Sequence, residues 1–177
     1  PSDNYSSYGL ATVKGAGLYC GPETLVTKNV IYGNEAIADL GWNSYDQLCG
    51  EVPLDTSAIG GGLYIENGIV NNNIVYSNKA IAKGNNNAYV NTYGLEEGRG
   101  GNATTRGAGI FVINSILSNN TISDSQLTSE GGQGFEVEMY FNPPDPIGYF
   151  YWFPDNGDSI TQGGGIYLDS DSILMNT

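Results

Sequence analysis

The chain has 177 residues, the range of one domain or a small stack of repeats. Its 19 acidic and 6 basic side chains give a formal net charge of −13, which disfavours nucleic acid and anionic membrane surfaces as partners. Histidine is absent, which excludes Ser-His-Asp and Cys-His catalysis and His-ligated zinc.

The remaining composition is biased towards 26 Gly, 20 Asn and 13 Tyr, with 14% charged residues. Disorder does not fit, because 40% of the residues are hydrophobic and they cluster, as in Leu63-Tyr64-Ile65 and Ile110-Phe111-Val112-Ile113. Helix does not fit either, since no long window keeps a 3.6-residue apolar period free of Gly or Pro. Short β-rich runs between Gly and Asn indicate an all-β chain. No apolar run approaches the roughly 18 residues of a membrane-spanning helix. The start, Pro1-Ser2-Asp3-Asn4, has neither Met nor a basic stretch, so a mature or excerpted chain is expected.

Four blocks follow one another along the chain. They open at Gly15-Ala16-Gly17-Leu18-Tyr19, Gly60-Gly61-Gly62-Leu63-Tyr64, Gly107-Ala108-Gly109-Ile110-Phe111 and Gly163-Gly164-Gly165-Ile166-Tyr167. An asparagine recurs in each: Asn29, Asn73, Asn120 and Asn176 lie 12, 11, 11 and 11 residues beyond Gly17, Gly62, Gly109 and Gly165. Apolar pairs flank it, among them Leu25-Val26, Ile69-Val70, Ile116-Leu117 and Ile173-Leu174. The first two blocks continue as Tyr32-Gly33-Asn34-Glu35-Ala36 and Tyr76-Ser77-Asn78-Lys79-Ala80.

Each block reads as two short strands joined by a tight turn, then a variable stretch. Small residues allow close backbone approach, the apolar pairs point inward at strand period, and the asparagine suits the turn or a stacked ladder. One such unit cannot bury its apolar face, whereas stacked units share a core. The expected fold is a right-handed parallel β-helix, a β-solenoid of about four coils. Its coil blocks lie near 15–36, 60–80, 107–126 and 163–177, and long lateral excursions lie near 37–59, 81–106 and 127–162. The whole chain, 1–177, forms one module.

These motifs resemble pectate-lyase-like right-handed β-helix repeats. In particular they are similar to repeats of polymorphic outer-membrane proteins and β-helical adhesins, where GGA-I alternates with F-x-x-N. Gly61-Gly62-Leu63 and Gly164-Gly165-Ile166 stand for the first motif and Tyr76-Ser77-Asn78 approximates the second. The resemblance implies fold more than activity, because the family includes lyases, hydrolases, adhesins and structural fibres.

Several residues are candidates for chemistry. Cys20 and Cys49, the only cysteines, are expected to form a disulfide tying the first excursion to its coil. Trp42, Tyr149, Tyr151 and Trp152 are candidates for stacking on sugars or docking a protein. The competing assignment is a satellite core, favoured because so many adjacent rings are costly to leave wet. Asp155 and Asp158, around a turn, and Asp169 and Asp171, on one strand face, are candidate Ca²⁺ ligands, although solvated surface is the simpler expectation. No catalytic residue is assigned and no cofactor is required. Asn4, Asn102 and Asn119 begin Asn-x-Ser/Thr sequons, candidate glycosylation sites in a secreted chain.

A second copy placed after Thr177 would put Asn4 five residues beyond Asn176, the offset that separates Asn73 from Asn78. The composite coil from Gly165 to the next Gly17 would span 29 residues. The expectation is therefore an extracellular or cell-surface module of a fibre, filament or adhesin, one period of a longer solenoid stacking head to tail on copies of itself. Glycans or cell-surface proteins are further candidate partners. A carbohydrate-active β-helix enzyme, lyase or hydrolase, or a carbohydrate-binding module is the alternative.

Overall fold

The computed structural model describes residues 10–40, 42–43, 54–88, 100–135, 139–142, 145–148 and 157–176. Every described element is a strand, and with one exception every pairing is parallel. Sheet A stacks Ala11–Lys14, Thr56–Ile59, Ala103–Arg106 and Ser159–Gln162. Sheet B stacks Leu18–Cys20, Leu63–Glu66, Ile110–Ile113 and Ile166–Asp169. Sheet C stacks Leu25–Thr27, Ile69–Asn71, Ile116–Ser118 and Ile173–Met175. Three strands make sheet D (Val30–Tyr32, Ile74–Tyr76, Thr121–Ser123) and three make sheet E (Glu35–Asp39, Lys79–Lys83, Gln126–Glu130). The chain visits A, B, C, D and E in that order on the first three passes and A, B and C on the fourth, the path of a β-solenoid.

Left-handed residues turn the corners. Between A and B they are Gly15, Gly60, Gly107 and Gly163, and between B and C they are Glu23, Asn67, Asn114 and Ser170. Between C and D stand Lys28, Asn72, Asn119 and Asn176, and between D and E stand Gly33, Ser77 and Asp124. All the described residues with positive φ fall at these four corners. Asparagine, aspartate and serine recur there because short polar side chains satisfy backbone groups locally and tolerate the left-handed region.

The interior has two compartments. Sheets B, C and D enclose an aliphatic core of Leu63, Ile65, Val70, Val75, Ile110, Val112 and Leu117, with Cys20, Val26 and Ile31 from the first pass. Sheets A and E pack face to face through Ala36, Ala38, Ala58, Ala80, Ala82, Ala103 and Ala108. At the junction, a Cβ on Gly17 would lie 2.6 Å from Asn34 Nδ2, and one on Gly62 would lie 2.8 Å from Asn78 Nδ2. Glycine on one wall therefore makes room for asparagine on the other, and on these two passes the pair divides the aliphatic prism from the alanine limb.

Sheets A and E lie largely within the stretches expected as excursions, so those stretches begin later and end earlier than 37–59, 81–106 and 127–162. The limb closes at a glycine-rich neck where strands leaving and returning alternate. Gly101 N–H donates to Asn85 O at 3.0 Å, Gly132 to Gly101 at 2.8 Å and Gly157 to Gly132 at 2.9 Å. Beyond the neck, Trp42–Asn43, Asn86–Ala88 and Gly134–Phe135 still pair in parallel. The exception to the parallel rule is an antiparallel hairpin, Met139–Asn142 with Asp145–Gly148.

Candidate functional site: columns of stacked side chains

In-register parallel pairing places each side chain directly above its counterpart on the next pass, so the chemistry of this chain is organised in columns. The asparagine column between C and D is the most ordered. Asn29 donates its backbone N–H and Nδ2 to Asn73 Oδ1 at 2.9 and 3.2 Å. Asn73 donates in the same way to Asn120 Oδ1 at 3.0 and 2.9 Å. Each buried amide also reaches back, Asn73 Nδ2 to Val26 O and Asn120 Nδ2 to Val70 O. Both side chains are buried and find several partners, as a buried amide must.

Asn176 does not belong to this ladder. It follows the strand residue Met175, which pairs with Ser118, and so takes the left-handed position of Asn119. The turn Ser170-Asp171-Ser172 is one residue longer than Asn114-Ser115, and a fixed offset of 11 residues therefore falls one place short. The shift also removes the equality that placed Asn4 at the position of Asn34 and Asn78 in a composite coil. Residues 1–9, with Asn4, lie outside the described residues.

The glycines Gly17, Gly62, Gly109 and Gly165 do form one column, in which a Cβ on Gly62 would lie 2.6 Å from Gly109 O. Two ladders have weaker sequence signals. Asn34 donates to Asn78 Oδ1 from both its backbone N–H and Nδ2, at 3.1 and 2.9 Å, and Asn78 Nδ2 donates to Ile31 O. Asn102 N–H donates to Asp55 Oδ1 and Asp158 N–H to Asn102 Oδ1, both at 2.8 Å. The repeated Tyr-x-Asn signalled the first of these; the Asp-Asn-Asp column has no common motif.

Aromatic rings stack along the outer face of sheet B. Tyr19, Tyr64, Phe111 and Tyr167 have successive centroid separations of 5.0, 5.3 and 5.1 Å, with planes within 9° of parallel. Lys14 Nζ lies 4.8 Å from the Tyr64 centroid and Arg106 Cζ lies 5.3 Å from that of Tyr167, each cation reaching the ring of the next pass. The ring faces are taken up by one another, and Tyr64 and Phe111 are buried. Both faces of Tyr64 and Phe111 are covered, whereas Tyr19, at the end of the column, is 55% exposed.

Cys20 is a free thiol and not half of a disulfide. It pairs in register with Ile65, so its side chain joins the aliphatic core. Burial pushes the Cys20 thiol up from its ordinary value. Cys49 lies outside the described residues, as do Tyr149, Tyr151, Trp152 and Asp155, and of Trp42 only the backbone is described.

The remaining carboxylates are dispersed. Asp158 enters sheet A, whereas Asp169 ends sheet B and its Oδ1 accepts from Ser170 N–H at 2.9 Å. Asp171 is the exposed extra residue of the following turn. Among the described residues no three Cys, Asp or Glu side chains gather to hold a metal ion. Of the sequons, Asn119 is exposed at its turn, while Asn102 is engaged in the ladder with Asp55 and Asp158.

Among the described residues no helix is long and apolar enough to cross a membrane. No protein-family model, curated protein or solved structure matches this chain.

Proposed function

We propose that the chain is a structural module of an extracellular or cell-surface fibre or adhesin, built as a right-handed β-helix of about four coils. The excursions project from one side of it, and copies stack head to tail. The observation that carries this reading is the face formed by Ile166–Asp169 and Ile173–Met175. Leu168 shares a column with Ile65 and Val112, and Leu174 shares one with Val70 and Leu117; those four are fully buried. Leu168 and Leu174 are 39% and 44% exposed. Apolar groups at core positions and a sheet edge with no partner among the described residues together favour a further coil on this face.

The first pass of another copy fits it. Its strands present the opposite edge of the same sheets, Tyr19 matches the column of Tyr167, and Val26 matches that of Leu174. Parallel pairing is polar, so the contact is heterologous and does not close on itself. The carbohydrate-active alternative draws no support from the described carboxylates, which lie in separate turns and ladders.

Electron microscopy and sedimentation of the purified chain test the proposal. Filaments with an axial repeat of roughly 19 Å, about four coils at about 4.8 Å each, are expected. The double variant Leu168→Asp, Leu174→Asp should stay folded and lose them. Monodisperse single chains at every concentration would overturn the stacking.

A further inference from the structure

The outer face of sheet D carries Tyr32 and Tyr76 as in-register partners on neighbouring strands. Their ring centroids are 5.1 Å apart and their planes lie 5° from parallel. Tyr32 is 60% exposed and Tyr76 is half-buried, so both rings meet solvent and an oxidant has access to them. We propose that this pair is an oxidative cross-linking site, coupling to a dityrosine that ties the first pass of the solenoid to the second.

The coupling is a two-electron oxidation. Each phenol loses one electron and its hydroxyl proton to give a phenoxyl radical. The two radicals join through ring carbons ortho to oxygen, forming one C–C bond. The hydrogen on each joined carbon then moves to oxygen and restores both phenols. Hydrogen peroxide, acting through a haem peroxidase, accepts the two electrons and two protons and leaves as two waters.

Sheet pairing keeps the radicals together, so their meeting does not depend on diffusion. Bond formation needs the stacked rings to tilt towards each other. Solvent along their edges allows that tilt in Tyr32 and Tyr76. The Tyr19–Tyr64 pair has the same spacing, but Tyr64 is 1% exposed, lies between Tyr19 and Phe111, and its hydroxyl accepts from Lys14 Nζ. Tyr167 stacks on Phe111, which has no phenol. Among the tyrosines whose side chains are described, the reaction is therefore specific to one pair.

The test treats dilute purified protein with peroxidase and hydrogen peroxide, using an equal mixture of unlabelled and isotope-labelled chains. The expected result is blue dityrosine fluorescence and a cross-linked peptide joining Tyr32 to Tyr76. That peptide should be lighter by two hydrogens and should not mix labels. Tyr32→Phe and Tyr76→Phe should each abolish it and retain the β-sheet circular dichroism, whereas Tyr19→Phe should leave it in place. Cross-links confined to other tyrosines, a 32–76 link that mixes labels, or no dityrosine at all would each overturn the assignment.

Discussion

Asn73 and Asn120 are joined by two hydrogen bonds to one oxygen: the backbone N–H and Nδ2 of Asn73 both donate to Asn120 Oδ1, at 3.0 and 2.9 Å. Asn73 Oδ1 in turn accepts two from Asn29. Asn73→Ala removes the central member from a buried position and leaves Val26 O and Asn120 Oδ1 short of donors. A loss of about 2–4 kcal/mol in denaturant unfolding is expected. Asn29→Ala, at the exposed end of the same ladder, should cost about 1 kcal/mol or less.

Two glycines of one motif should behave oppositely. Gly62→Ala puts a methyl group 2.6 Å from Gly109 O and 2.8 Å from Asn78 Nδ2, both held by the stack. It should destabilise by about 3 kcal/mol or more. At Gly164 the nearest atom to an added Cβ is 3.9 Å away, so Gly164→Ala should change stability by no more than about 0.5 kcal/mol. Thermal melting of the pair checks both.

Thr105 Oγ1 and Ser129 Oγ are buried without a hydrogen-bond partner, on the two facing sheets of the limb. Their column neighbours Ala58 and Ala82 are apolar. Thr105→Val keeps the shape and removes the unpaired hydroxyl, so a gain of about 1 kcal/mol is expected. A loss of that size in chemical denaturation would mean that the hydroxyl is satisfied in solution.

Cys20 makes stability depend on alkaline pH. The unfolded thiol ionises near pH 8.5, whereas burial holds the folded thiol protonated to higher pH. Above the unfolded pKa the unfolded chain has released a proton that the folded chain retains, so stability falls as pH rises. Below it the contribution is constant. The difference in urea midpoint between wild type and Cys20→Ala, followed from about pH 7 to pH 10, should narrow as the pH rises. The thiol should also react with a disulfide reagent only at the rate of unfolding.

How far the sequence predicts this arrangement depends on which residues face inward. Sheets B and C were legible because Leu63, Ile65, Val70 and Leu117 are large, apolar and next to a Gly-x-Gly landmark. Sheet E was not, because its alternation runs against expectation. In Lys79-Ala80-Ile81-Ala82-Lys83 the alanines are buried and the isoleucine faces out, and Ile37 on the first pass is 49% exposed. The facing strands of sheet A present Ala58 and Ala103, so small residues fill most of the gap, and Leu127 on the third pass is the larger exception. The candidate site divided in the same way. The ladder Asn29–Asn73–Asn120 and the glycine column follow from spacing. The misplacement of Asn176 came from a one-residue lengthening of a turn that spacing alone cannot detect. The pairing of Cys20 with Cys49 rested on their being the only two cysteines, while strand register points Cys20 inward.

The wall of Gly17 and Gly62 against Asn34 and Asn78 has a consequence for how such a chain can change. On the first two passes these pairs separate the alanine limb from the aliphatic prism, and the parallel pairs beyond the neck continue from the limb. Insertions or deletions beyond the neck are therefore absorbed there, without reaching the side chains that set vertical register. The blocks can recur at unequal intervals, 45, 47 and 56 residues, and still superpose. The prism acts as an invariant spine, and the limb lets its cargo vary in length and chemistry independently of it.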